Sequence, residues 1–168
     1  MPNLAFGLEL KSLTEQGEFS GLASTYGNVD RGGDIVEPGA FTKTLSASKE
    51  RPLLWQHRDP VGVVQLSDSP SGLLARGKLS LGVQRAREAY ELLRDGVVKG
   101  LSIGYETIRS DYQGDVRHLR EIKLWEISLT PLPCNELASV TSVKSAHIIL
   151  VKNALSELRR DVLAAIER

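Results

Sequence analysis

The stretch Gly100-Leu101-Ser102-Ile103-Gly104 sets a serine between two glycines. On a strand, where side chains alternate, Leu101, Ile103 and Tyr105 face one way and Gly100, Ser102 and Gly104 the other. The hydroxyl then stands on a face cleared of neighbouring side chains, where a substrate backbone can come close. A serine so placed becomes a nucleophile once a base within hydrogen-bond reach takes its proton. A strand that uses small residues for tight packing would show the same letters. So would the nucleophile elbow of α/β-hydrolases, which needs a strand, a sharp turn and then a helix, with acid and histidine following in that order. More strand pattern follows Ser102, and no βαβ pattern surrounds His118 or His147, so a small esterase is disfavoured.

His57 is the candidate base. It ends the apolar run Pro52-Leu53-Leu54-Trp55-Gln56, ahead of Arg58-Asp59-Pro60. An imidazole there either serves chemistry or closes a strand end as a packing residue. His118, flanked by charged residues, reads as solvated, and His147 as core. Three scattered histidines without paired cysteines or an H-x-x-x-H spacing give no metal site, and no cofactor is expected. Glu126 interrupts the apolar and aromatic segment Leu124-Trp125-Glu126-Ile127-Ser128-Leu129. A carboxylate in a buried strand is costly unless paired, so Glu126 either has a fixed partner, a histidine being a natural one, or reaches water from an edge strand. Together His57, Ser102 and Glu126 are the parts of a nucleophile, its base and the group that orients the base. An oxyanion hole needs backbone N–H donors. Pro131 and Pro133 have none, which makes Cys134 and Asn135 the first donors of their loop. Cys134 has no histidine near it in sequence and is disfavoured as a nucleophile. The run from Asp30 to Asp34 lacks the alternate carboxylates of a calcium loop and reads as a glycine-rich turn with Asx bonds.

Elements must hold these residues in place. Residues 4–11 alternate as a half-buried strand, 14–17 turn, and 18–26 resume extended chain. After the loop 27–34, Pro38 suits the first turn of a short helix running to Ser48. Residues 52–57 form a short strand, and 61–66 with 73–81 a hairpin over Asp68-Ser69-Pro70-Ser71-Gly72. Val83, Ala86, Tyr90 and Leu93 recur at helical spacing before Gly96, a C-terminal stop. Residues 97–109 and 116–130 return to strand period around Gly114, and Leu155, Leu158, Val162 and Ile166 stripe a terminal helix. Hairpins dominate, which favours an antiparallel barrel or sandwich with helices outside over a doubly wound fold. The 168 residues suit one domain, with a barrel over about 4–144 and a C-terminal helix over about 153–167. Lys plus Arg and Asp plus Glu each number 21, so no whole-molecule attraction to nucleic acid or anionic membrane is expected. One cysteine needs no oxidising compartment. The first residues lack a basic start and an unbroken apolar core, so no secretory signal or membrane span is expected, and the protein should work inside a cell.

The joint order of several short stretches resembles the prohead serine proteases of tailed bacteriophages, which are distantly similar to the herpesvirus capsid-assembly protease, assemblin. These stretches are Gly21-Leu22-Ala23-Ser24, Val29-Asp30, Gly33-Asp34-Ile35-Val36, Pro38-Gly39-Ala40-Phe41, Leu53 through His57, Pro60-Val61-Gly62, Gly96 through Tyr105, and Glu126 through Leu129 with Pro131, Asn135 and Ala138. The resemblance implies a mostly β fold with surrounding helices, a closed antiparallel β-barrel of assemblin-like type. It implies a chain order of His, Ser and a third member, which is a second histidine in the herpesvirus relatives. Here Glu126, 24 residues after Ser102, takes that place. It also implies scaffold and capsid proteins as substrates, with the protease itself, cut inside assembling proheads in the host cytoplasm. A homo-oligomer is compatible with all of this. The competing class is a non-catalytic shell component that binds capsid subunits as scaffold, for which the apolar stripe of the terminal helix would serve. An intact set of His57, Ser102 and Glu126 separates the two, since a scaffold has no need of it.

Overall fold

The computed structural model describes residues 17–143 and residue 159. Along the chain run β1 (Glu18–Thr25), β2 (Asp34–Val36), α1 (Thr42–Ala47), β3 (Glu50–Trp55), β4 (Asp59–Ser69) and β5 (Gly72–Leu79). Then come α2 (Gln84–Arg94), β6 (Gly100–Gln113), β7 (Val116–Thr130) and β8 (Val140–Val143). The strand read over 4–11, the terminal helix over 153–167 and His147 lie outside the described residues. No helix among the described residues is long and apolar enough to cross a membrane.

The mostly β reading holds, but the closed antiparallel barrel does not. The strands form one curled, half-barrel sheet in the order β2-β7-β3-β4-β5-β1-β8, with β6 on β7. Long β7 explains the departure. Its one edge is covered by β6, antiparallel from Gly100↔Thr130 to Gln113↔Val116. Its other edge takes β2 against Arg117 to Leu119 and β3 against Ile127 to Leu129, both parallel. Parallel neighbours need a long crossover, and the chain between β3 and β7 supplies one through β4, β5, α2 and β6. Toward closure, β6 meets the chain ahead of β8 through the isolated bridge Gly100↔Ser139, flanked by Leu101 N–H to Ala138 O at 3.0 Å and Val140 N–H to Lys99 O at 2.8 Å.

The core is filled by fully buried Leu53, Leu101, Ile127 and Leu129, with Phe41 ahead of α1 and Leu73 of β5. α2 packs on β4 and β5 through Ala86, Ala89, Tyr90 and Leu93, the spacing that a helix buries on one face. It ends as read: Gly96 takes φ +72°, its N–H donates to Leu93 O, and that of Val97 to Leu92 O, a Schellman arrangement. The first helix starts later than read, at Thr42, because Gly39 at φ +90° keeps the turn after Pro38 out of helical geometry. The third strand has the length read but lies two residues earlier, at Glu50–Trp55. It stops at Trp55, and Gln56 and His57 belong to the turn into β4.

Candidate active site

Between β6 and β7, alternation sorts side chains onto two faces. Leu101, Ile127 and Leu129 enter the core, and the opposite face carries Gly100, Ser102 and Gly104 beside Thr130, Ser128 and Glu126. Ser102 pairs directly with Ser128, and Gly104 with Glu126. Both Ser102 and Glu126 are 8% exposed, and Ser128 is fully buried.

His57 reaches this row from the β3–β4 turn. Gln56 and His57 have φ +51° and +61°, the sign that a type I′ turn demands at both central positions and that residues with a Cβ avoid. Such strain persists only where surroundings over-determine it, and here each N–H of the turn is held. Gln56 N–H donates to Leu129 O at 3.0 Å, His57 N–H to Ser128 Oγ at 2.9 Å, and Arg58 N–H to Trp55 O at 3.1 Å. The turn thereby lays the imidazole against β7, with Nδ1 2.6 Å from Glu126 Oε1. The other carboxylate oxygen accepts from Ser128 Oγ at 2.8 Å. Glu126 thus has the fixed histidine partner that its buried setting requires, and its edge-strand alternative is gone. His57 stays 45% exposed on its side chain and Glu126 11%, so the pair lies at the boundary between solvent and fold.

The two glycines make room for the protein's own groups more than for a substrate, contrary to the sequence reading. A Cβ at Gly104 would stand 2.1 Å from Glu126 Oε1. At Gly100 it would stand 2.5 Å from Thr130 O and 2.7 Å from Pro133 Cδ. Ser128 is the site residue that sequence reasoning passed over. Its signal was present: Glu126 and Ser128 are two polar residues at i and i+2 of an apolar strand, which puts them on one face.

Cys134 and Asn135 border a cavity that Ser102 also lines, so the loop read as an oxyanion element does run past the serine. The Asn135 side chain is committed to structure. Its Oδ1 accepts from Thr25 Oγ1 at 3.0 Å and from Leu137 N–H at 3.1 Å, tying the loop to the end of β1. Burial, and then the neighbouring Asp30 carboxylate, push the Cys134 thiol above its ordinary range. A thiol held protonated is a poor nucleophile, which supports the reading against Cys134. Asp30 makes the expected Asx turn, its Oδ1 accepting from Gly32 N–H at 2.8 Å and Asp34 N–H at 3.0 Å. Asp34 receives Arg117 through Nε–H on one carboxylate oxygen and Nη2–H on the other, and the Tyr105 hydroxyl at 3.1 Å. His118 is not solvated as read: its side chain is 12% exposed and Nδ1 lies 2.6 Å from Glu37 Oε1. The parallel pairing of β2 with β7 covers it.

A sequence model of the Caudovirus prohead serine proteases matches residues 6–152. The chain is 34% identical over 139 residues to the prohead protease of Enterobacteria phage HK97, an alignment covering 78% of this chain and 62% of that protein. It is 26% identical over 135 residues to the prohead protease of Escherichia phage T5, covering 76% and 63%. A capsid polyprotein of Pseudomonas phage PAJU2 is 32% identical over 153 residues, covering 82% of this chain and 22% of the polyprotein. The chain thus spans less than two thirds of the length of these curated relatives. With the family model matched over most of its residues, the chain belongs to the Caudovirus prohead serine protease family.

Proposed function

We propose that this chain is a serine endopeptidase of prohead maturation, which cuts scaffold and capsid proteins, and copies of itself, inside assembling phage proheads in the host cytoplasm. Ser102 is the nucleophile, His57 the general base, and Glu126 the group that orients His57. The observation that carries this reading is the 2.6 Å contact of His57 Nδ1 with Glu126 Oε1, on the sheet face that bears Ser102. With Glu126 ionised, Nδ1 holds the hydrogen and donates it, so Nε2 keeps the lone pair that takes the Ser102 proton. The serine oxygen attacks the scissile carbonyl, and His57 passes the proton to the leaving amine. Water then enters by the same base and releases the acyl group. The N–H groups of Cys134 and Asn135 receive the developing oxyanion.

The relatives' name, prohead protease, supports the reaction, and the capsid polyprotein relative supports capsid chains as its context. The order of His, Ser and third member, on a curled β sheet, is what the chain would share with the herpesvirus capsid-assembly protease. A non-catalytic shell component would gain nothing from a histidine held at φ +61° against a nearly buried carboxylate. The test is co-expression of Ser102→Ala with the phage's capsid and scaffold proteins, followed by mass measurement. Unprocessed chains are expected, and processing at the wild-type rate would remove the serine assignment.

A further inference from the structure

Strand β1 carries a bulge beside the proposed nucleophile. Leu22 pairs with Leu74 and Ser24 with Leu73, so Ala23 is the extra residue. A bulge breaks alternation and re-aims the next side chain. Here it buries Ala23 and Ser24 in succession, both 1% exposed. The Ser24 hydroxyl is the one buried side-chain polar atom among the described residues with no hydrogen-bond partner. Native proteins pair such atoms almost always, because an unmade bond costs stability.

Ser24 lines a small cavity of about 40 Å³, shared with Ser102, Asp30, Tyr105, Cys134 and Asn135. At roughly 10–15 Å³ for each water-sized occupant, that space takes about three or four heavy atoms. The Asp30 carboxylate in its wall repels an acidic group. A long side chain does not fit. What fits is a short, uncharged side chain with a hydroxyl to answer Ser24.

We propose that this cavity is a specificity pocket for one of the two residues flanking the scissile bond, that it takes serine or threonine there, and that Ser24 is its hydrogen-bonding partner. The proposal rests on Ser102 being the nucleophile. A site that pairs a substrate hydroxyl discriminates against the analogue lacking it, because its own polar group is then left unpaired.

The test uses the full chain and peptides spanning a cleavage site mapped by mass on a capsid or scaffold protein, with Ser, Ala, Leu and Asp in turn at each flanking position. At one position kcat/KM should favour Ser over Ala about tenfold, the worth of one neutral hydrogen bond, with Leu and Asp poorer still. Ser24→Ala should bring the Ser-to-Ala ratio near one. Ser24→Cys, close in size but a weak hydrogen bonder, should fall between and serves if Ser24→Ala melts early. The same peptides titrated calorimetrically against Ser102→Ala give a readout free of catalysis. Cleavage persisting in Ser102→Ala would overturn the function, while a Ser24-dependent preference in binding would leave the pocket standing. Equal ratios in wild type and both Ser24 variants, in cleavage and in binding alike, would mean that the cavity holds only water.

Discussion

A methyl group added at Gly104 tests the contact between Glu126 and His57 without substituting either residue. The Cβ of Gly104→Ala would lie 2.1 Å from Glu126 Oε1, 2.8 Å from its Cδ and 2.9 Å from its Cγ. Ordinary contact begins near 3.4 Å, so the carboxylate must retreat by more than 1 Å. The atom pushed hardest is the one 2.6 Å from His57 Nδ1, and a displacement of that size breaks or misaligns the bond. The backbone has no objection, because Gly104 is not among the glycines with positive φ. What it meets is the end of a side chain, so the fold survives. The stability cost should be about 1–3 kcal/mol, the usual cost of overpacking, because Glu126 is nearly buried and must shift while His57 stays half exposed. That corresponds to a fall of roughly 2–12 °C in Tm. Turnover should suffer far more, by about a hundredfold to ten-thousandfold, the upper end being the cost of amidating a triad aspartate. KM should change little, because the interaction matters most once the imidazole is charged. The assay is steady-state cleavage of a mapped peptide by wild type, Gly104→Ala, Glu126→Ala and the double variant. If the methyl acts only through Glu126, adding it to Glu126→Ala costs nothing more. Full turnover in a folded Gly104→Ala, or additive losses in the double variant, would refute the reasoning.

Ser128→Ala removes the donor to Glu126 Oε2 and the acceptor of His57 N–H from a fully buried position. A lost bond to a charged group costs about 1.5–3 kcal/mol, so Tm should fall by roughly 5 °C or more, with turnover reduced because both partners loosen. A variant melting and cleaving as wild type would contradict the bonding. The raised Cys134 thiol should alkylate more slowly than free cysteine, whose pKa is about 8.5. Its rate should keep climbing with pH after the free thiol has levelled off, since only the thiolate reacts. Labelling that follows free cysteine would show that neither burial nor Asp30 acts on it.

Local signals carried as far as local interactions reach. The β4–β5 hairpin was legible because two alternating runs flank a turn that ends in Gly72, at φ +143°. The second helix was legible because its stripe and its glycine stop lie within fourteen residues, Val83 to Gly96. β2 escaped notice, as three residues cannot display a period. It exists because β7 offers a bare edge and Arg117 there grips Asp34. The barrel was closed too far in the reading for the same reason. Whether β3 lies parallel to β7, and whether β6 seals against β8, is decided between residues far apart in sequence, with nothing in the alternation of either strand to announce it.

The site divides along the same line. Glu126 was legible as a carboxylate that apolar neighbours oblige to find a partner, and the partner is the histidine expected. How His57 gets there was not legible, because Gln56 and His57 take a turn geometry that their side chains disfavour and that Leu129 and Ser128 impose from another strand. The glycines show most clearly what a motif alone leaves out. Read along one strand, Gly104 is empty space beside a hydroxyl, and a substrate is the natural tenant. Across an antiparallel pair, however, the space over a residue belongs first to the side chain directly opposite. Opposite Gly104 stands Glu126, whose carboxylate must lie flat over β6 to meet a histidine arriving from β3. The second glycine of G-x-S-x-G therefore answers to the carboxylate across the strand pair, which occupies the space that the motif alone assigns to a substrate.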